Sequence, residues 1–417
     1  MRRVPPVTWT LLGAGAMTTL GTLPVFLLSS QSVFVRRELD LDDGQFGVAV
    51  SAFFAAAATF ALLGGGLVDR LGRRRGTVVA GLVSAAGCAA VGLGVSGYAS
   101  LVPAMVVLGV GNAACQVTSN LTVARAVPPH RRGLGFGVKQ SAIPLSIVIA
   151  GLAVPTVGAW VGWRGTFLLT GAAALAVVVR GLLLPAAVAS GGAASGPADR
   201  PPLRALVTVM LGIALASAAA NSLGSFTAAW GFEVGLSPGQ AGLLMAVGSA
   251  LNIAVRVLAG HRADLRFGRN LPVVAAQMVV GAVALAVLSV PSPVTVVAAG
   301  LVAFAIGWSW PGLLLYAVVR VGRDAPAAAT GIVQAGAFAG GAAGPALFGL
   351  VVVASSYETA WRAAAVLFLL AAGLVTLARR MFIADLVARP PAQSFGYGGG
   401  RTAPLRTTDV RPEQEDR

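Results

Sequence analysis

The chain has 417 residues, of which 56% are apolar or aromatic and only 11% are Asp, Glu, Lys or Arg. Soluble domains carry roughly a quarter of their residues as charged side chains, so this chain cannot cover a surface exposed to water, and its natural solvent is lipid. The formal charge of +15 does not point to nucleic acid: every basic residue except Lys139 is Arg, clustered between apolar runs, which is the pattern of membrane topology.

In chain order, about twelve stretches are long enough to cross a hydrocarbon layer, which takes about 20 residues of helix. They run over 8–33, 45–68, 76–96, 100–123, 133–157, 165–184, 205–230, 240–262, 271–290, 294–318, 327–354 and 362–383. Met1-Arg2-Arg3 enters the first stretch with no convincing cleavage site, so that stretch is expected to be retained as a span. The expected organisation is a six-helix bundle over 1–185, a cytoplasmic linker over 186–204, a second bundle over 205–384 and a disordered cytoplasmic tail over 385–417. With the N-terminus inside, 24 of the 30 basic residues fall in inside segments. Only Arg36, Arg37, Arg164 and Arg362 fall outside, while Lys139 and Arg256 lie within spans. The asymmetry predicts a multi-pass protein of the plasma (inner) membrane with both termini cytoplasmic.

Other classes fall on residue types. Cys88 and Cys115 lie within apolar runs, so no disulfide framework exists. His130 and His261 are far apart without metal-ligand spacing, and no metal or cofactor is expected. Lys139 is followed by Gln140, so no phosphate-binding loop of the G-x-x-x-x-G-K-[ST] type is present and the chain cannot be its own ATPase.

The halves can be laid over each other. Leu41, Gly44, Gln45 and Gly47 recur 195 positions later as Leu236, Gly239, Gln240 and Gly242, and Gly65 and Asp69 recur as Gly260 and Asp264. Gly137 and Gln140 recur as Gly331 and Gln334, and Trp163-Arg164 as Trp361-Arg362. Six helices have been duplicated in parallel orientation.

On these residues the chain resembles the major facilitator superfamily over residues 1 to 384. The run from Gly65 to Arg74, with Gly65, Asp69, Arg70, Gly72 and Arg73 in register, is similar to that family's signature G-x-L-A-D-R-x-G-R-[RK]. The second copy keeps Gly260 and Asp264 but has Leu265 in place of the arginine. The resemblance implies an all-α fold of twelve transmembrane helices in two pseudo-symmetric six-helix bundles, a gating role for these residues, and transport by alternating access. Physically, Asp69 at the end of the second span can meet the positive end of a neighbouring helix. In the family that neighbour is the eleventh span, which here can begin at Pro326. The segment Lys139 to Leu145 and Arg256 resemble porters of the bacterial cyanate-transporter type, and basic groups in spans resemble the oxalate/formate and monocarboxylate groups.

Within the spans, Asn112, Gln116 and Asn120 share one helical face, suited either to reading a substrate or to holding helices together. Thr18 with Thr22 and Asn221 with Ser225 repeat the spacing, and back-bonding to their own helix accounts for most of these. Trp308, Trp310 and Tyr316 read as packing or interface anchors. Gly336, Gly340, Gly344, Pro345 and Gly349 on the eleventh span read as a packing stripe. No Asp or Glu lies well inside a span, which weighs against proton-coupled drug or sugar porters. Lys139 and Arg256, on opposite halves and roughly 6 to 9 Å inside the inner boundary, are therefore expected to bind an anion, with Asn252 one turn before Arg256 as a polar neighbour. The expected protein is not an enzyme. It is a monomeric secondary transporter, embedded in the lipid bilayer, of a small organic or inorganic anion. The alternatives are a multidrug or amphiphile exporter, and a membrane sensor or assembly factor of the same fold.

Overall fold

A computed structural model describes residues 6–126, 139–183, 202–263, 270–321 and 326–389. The described residues form helices joined by short connections, with no strand among them. The first half holds α1 (Pro6–Ser30), α2 (Ser32–Leu39), α3 (Asp43–Ala89), α4 (Tyr98–Ala126), α5 (Ala142–Ala153) and α6 (Val157–Leu182). The second holds α7 (Leu203–Glu233), α8 (Pro238–Ala263), α9 (Asn270–Leu288), α10 (Pro293–Val302), α11 (Trp310–Val321), α12 (Pro326–Ala354) and α13 (Tyr357–Ala388). Eleven helical stretches are long and apolar enough to span a membrane, and α5 is a shorter apolar helix. Together they make the twelve spans of two six-helix bundles.

The helical run α3, continued by a π-helical turn over Ala90–Gly94, carries two of those spans, Asp43–Ala61 and Arg73–Gly94. Gly109 of α4 packs on the carbonyl of Phe53, and Gly111, half a turn on, packs on Ser84. A straight helix would separate positions 53 and 84 by about 46 Å. The chain therefore turns back on itself between the two spans. The side chains at 62–70 and 72, which include Asp69 and Arg70 of the signature, lie outside the described residues, as does Asp264 of its second copy.

Expectation and structure differ at three spans. The first ends at Ser30, and the chain then turns into the separate helix α2, closed by Asp40 in the left-handed conformation (φ 51). The fifth is broken by a turn at Ser141 and ends at Ala153, while residues 127–138 lie outside the described set. The tenth is interrupted by a π-helical turn over Ala303–Gly307, after which α11 starts at Trp310. At the C-terminus, α13 continues to Ala388, a few residues past the boundary read from composition.

The sequence repeat has a physical counterpart. Asp42 and Gln45 form a capping box at the start of α3: the Asp42 carboxylate accepts from Gln45 N at 2.7 Å, and Gln45 Oε1 accepts from Asp42 N at 3.2 Å. Ser237 and Gln240 repeat the pair of bonds at the start of α8, at 3.2 and 2.9 Å. Two residues past each cap glutamine lies a glycine at the junction between halves. A Cβ at Gly47 would sit 2.3 Å from the carbonyl oxygen of Pro345 on α12, and one at Gly242 would sit 2.6 Å from that of Gly151 on α5.

The glycine stripe of α12 packs in register with α7: Cβ atoms at Gly336, Gly340 and Gly344 would fall 2.2, 2.0 and 2.4 Å from the carbonyls of Met210, Ala214 and Ala218. Small residues four apart on one helix thus meet carbonyls four apart on the next. The core continues from one half into the other where Phe46 of α3 meets Phe226 of α7 edge to face, ring centroids 5.7 Å apart, and within the second half Phe226 packs on against Phe348 and Tyr357.

Candidate functional site

At the end of the molecule where α2 lies, the halves are tied by polar groups. Arg36 donates to Asp43 Oδ2 at 2.8 Å and to Tyr357 Oη at 3.3 Å, and Tyr357 in turn donates to Asp43 Oδ1. A second cross-half bond runs from the backbone N–H of Ala346 to Ser51 Oγ, 2.9 Å. Within the first half, Glu38 accepts from Trp163 Nε1 at 2.6 Å and from Arg164 Nε at 2.9 Å, and the Arg164 guanidinium lies 4.5 Å from the Trp163 ring centroid.

Deeper in the junction between α5 and α8 lies a closed seam, too tight for a water molecule, lined by Ile143, Pro144, Ile147, Ser249, Asn252, Arg256, Phe304 and Trp308. Its geometry follows from the π turn. Each residue of such a turn bonds five positions ahead, as Ala303 O does to Trp308 N at 3.0 Å, so neighbouring carbonyls are left without their usual helical partners. Side chains of α8 supply the missing donors. Asn252 Nδ2 donates to Phe304 O at 2.6 Å and to Ala305 O at 3.4 Å, and Arg256 Nη2 donates to Trp308 O at 2.8 Å. Arg256 Nη1 reaches across the seam to the carbonyl of Gln140 in the other half, 3.0 Å away.

Gln140 adjoins Lys139, which is 3% exposed and donates from Nζ to Gln116 Oε1 at 2.6 Å and to Asn120 Oδ1 at 2.7 Å. Two of the three amides on the α4 face are therefore committed to the lysine. The third, Asn112, is buried beside Gly21 of α1, and its Oδ1 has no partner. Among the described residues every acceptor on buried Lys139 and half-buried Arg256 is neutral. Among the described residues no carboxylate pairs with Lys139 or Arg256, the ion pairs lying at Arg36–Asp43, Arg164–Glu38 and Arg389–Asp385. A buried charge without an opposite charge is costly in a low-dielectric interior.

Three polar atoms on the α8 wall of the seam have no protein partner: Ser249 Oγ, Asn252 Oδ1 and Arg256 Nε. Ser249 was not among the residues singled out by sequence. Its signal is its spacing, three before Asn252 and seven before Arg256, which puts all three on one helical face. Thr18 and Thr22 bond mainly to carbonyls one turn back and, across helices, to Ser119 at 3.1 Å and Ser146 at 3.0 Å. Asn221 and Ser225 likewise bond back to Ser217 O and Asn221 O. Trp308 walls the seam and Trp310 is buried. Among the described residues no three His, Cys, Asp or Glu side chains come together as a metal site, and Cys88 and Cys115 are buried free thiols. Arg73 and Gly260 are described but form no part of this seam, and Gly65 and Gly72 fall in the stretch whose side chains are not.

The model of the Major Facilitator Superfamily matches twice, over residues 10–208 and 209–408. The chain is 29% identical to a chloramphenicol resistance protein of Streptomyces lividans over 347 residues, covering 80% of this chain and 86% of that one. It is 32% identical to the hexuronate transporter of Bacillus subtilis over 142 residues, 34% of this chain and 33% of the other. The fold matches the crystal structure of a bacterial homolog of the human lysosomal transporter Spinster in an inward-facing, unoccupied conformation. That match has a TM-score of 0.71 at 16% identity and covers 92% of this chain and 99% of the other. Two fused helical bundles, a duplicated cap and junction glycine, and a family match across both halves establish that the chain is a multi-pass membrane transporter belonging to the Major Facilitator Superfamily.

Proposed function

We propose that the chain is a secondary transporter of a small anion, bound between Lys139 of the first half and Arg256 of the second. The observation that carries this reading is that a buried lysine and a half-buried arginine lie at the junction from opposite halves, with only neutral oxygens as partners among the described residues. Arg256 donates to the backbone carbonyl of Gln140, the residue after Lys139, at 3.0 Å, which supports a common level for the two cations in the junction. An anion there would offset the desolvation of both charges and would bridge the halves. Asn112, Gln116 and Asn120 then act by orienting Lys139 or by extending the polar wall on the α4 side, and Asn252 by fixing the π turn beside the guanidinium. The hexuronate transporter and a probable sulfoacetate transporter of Cupriavidus necator, 30% identical over 149 residues, support an anionic substrate class.

The distribution of arginines supports an α2 end facing outward and both termini inside a plasma membrane, with the chain working as a monomer in lipid. On that orientation the contacts of α3 with α12 and of α5 with α8 close the outer side. Asp69, Arg70 and Asp264 form the inner tie in the same scheme, and the two bundles divide near residues 186–204. Alternating access then consists of rocking the halves about the seam.

A second reading, export of an uncharged drug or amphiphile, is supported by the similarity to the chloramphenicol resistance protein over most of its length. Thermal-shift titration separates them. A cognate anion at 100 times its dissociation constant adds about 2.7 kcal/mol of stability, whereas stabilisation by chloramphenicol and by no carboxylate favours export.

A further inference from the structure

The seam dictates more than the charge of its occupant. Asn252 is 2% exposed and Ser249 1% exposed, so bulk water does not satisfy their free atoms. The amide of Asn252 has a fixed orientation, because its nitrogen faces two backbone carbonyl oxygens, Phe304 O at 2.6 Å and Ala305 O at 3.4 Å. A flipped amide would set oxygen against oxygen. Asn252 Oδ1 is therefore an acceptor that lacks a donor, and Arg256 Nε is a donor that lacks an acceptor. They lie one helical turn apart on the same face of α8, with Ser249 Oγ, able to do either, on the far side of Asn252.

A plain carboxylate or an inorganic anion satisfies Arg256 Nε and leaves Asn252 Oδ1 unbonded. Of the remaining walls, Ile143, Pro144, Ile147 and Phe304 have apolar side chains, and Trp308 adds a ring whose one polar group is an indole N–H. The seam is shut in this conformation, with no room for even a water molecule, so an occupant enters only as the halves part and must be compact.

Resting on the anion reading above, we infer that the seam selects a small carboxylate that carries its own hydrogen-bond donor beside the carboxyl group, a hydroxy acid, over the same acid without the hydroxyl. The carboxylate faces Arg256 Nε, the hydroxyl donates to Asn252 Oδ1, and Ser249 Oγ takes up a remaining lone pair or proton.

The test uses the intact purified protein and three probes in thermal-shift titrations: lactate, isobutyrate, which replaces the hydroxyl by a methyl group, and propionate, which lacks it. Lactate is expected to bind at least about tenfold more tightly than either, the effect of leaving a buried acceptor unpaired. In Asn252→Ala the preference is expected to collapse toward unity. Equal affinity of the wild type for lactate and isobutyrate overturns the hydroxy-acid inference and leaves the anion reading standing. Stabilisation by none of the three overturns the hydroxy-acid inference, and the anion reading falls with it only if formate and sulfoacetate also fail to stabilise the protein. A lactate preference that survives in Asn252→Ala overturns the role given to Asn252.

Discussion

The phenol of Tyr357, at the first turn of α13, donates to the carboxylate of Asp43, at the first turn of α3, and so bonds the two halves together at the α2 end. Arg36 holds the same carboxylate and the same hydroxyl, at 2.8 and 3.3 Å, so the three groups form one closed set. Tyr357→Phe keeps the ring, which stacks on Trp230 with centroids 5.2 Å apart, and removes only the polar tie. Losing it is expected to cost about 1 to 3 kcal/mol of the closed arrangement, a shift of roughly 5-fold to 150-fold between closed and open at that end. Alkylation of a cysteine introduced at Ser51, measured in a background lacking Cys88 and Cys115, is expected to speed up in Tyr357→Phe; an unchanged rate would show that the ring packing alone holds the end closed.

The junction glycines give a steric version of the same question. At Gly47 and Gly151 an added Cβ would lie 2.3 Å from the carbonyl oxygens of Pro345 and Gly242, both backbone atoms on the opposite half. Gly47→Ala and Gly151→Ala are therefore expected to fold, because each half keeps its own packing, but to fail to close at the α2 end and to lose most transport turnover. Distance measurements between spin labels on α3 and α12 check this directly, the expected result being a population with wider separation than in the wild type.

Much of this architecture is legible in the sequence because it is periodic. The 195-residue offset between Gln45 and Gln240 marks two cap glutamines, and that between Gly47 and Gly242 marks two glycines at the junction. Lys139 and Arg256 fall outside the repeat and are conspicuous only as basic residues inside apolar runs. What composition cannot reveal is pairing. The commitment of Gln116 and Asn120 to Lys139 depends on how α4 meets the start of the fifth span, and the commitment of Asn252 to Phe304 depends on a π turn in an otherwise ordinary apolar stretch. The tie among Arg36, Asp43 and Tyr357 joins residues more than 300 positions apart and carries no local pattern.

Glu38 gives a pH dependence at the α2 end of the first half. The hydrogen bond from Trp163 holds its carboxyl below the usual carboxylate range, burial opposes this, and Arg164 adds to the lowering. A value depressed in the folded state means that the unfolded chain takes up the proton first. Its contribution is therefore present above the ordinary carboxylate pKa and is lost as pH falls through the folded one. Melting temperature measured from pH 7 down to pH 3 is expected to fall less steeply in Glu38→Gln than in the wild type, and equal slopes would assign the acid limb to other carboxylates.

On the proposed reading, Lys139 and Arg256 are expected to matter more for anion binding than for stability. Removing the charge of Lys139 relieves an insertion cost of about 2.5 to 3.5 kcal/mol and forfeits two hydrogen bonds to a charged donor, each about 1.5 to 3 kcal/mol, so the two effects nearly cancel. Ligand-free Lys139→Gln is expected to melt within a few degrees of the wild type. Arg256→Lys keeps the charge, yet one ammonium cannot reproduce the planar fork that spans Gln140 O and Trp308 O, and anion affinity is expected to drop about tenfold or more. Binding titrations of the purified variants measure both effects.

On the proposed reading, one anion is held jointly by Lys139 and Arg256. The most direct test of this claim is stabilisation of the purified wild type, Lys139→Gln and Arg256→Gln by a panel of small carboxylates that includes formate, propionate, lactate and sulfoacetate. The expected result is a melting-temperature rise in the wild type with at least one member and its disappearance in both variants, each of which remains folded without ligand. A rise that persists undiminished in either variant, or a wild type that no member of the panel stabilises, would contradict the claim.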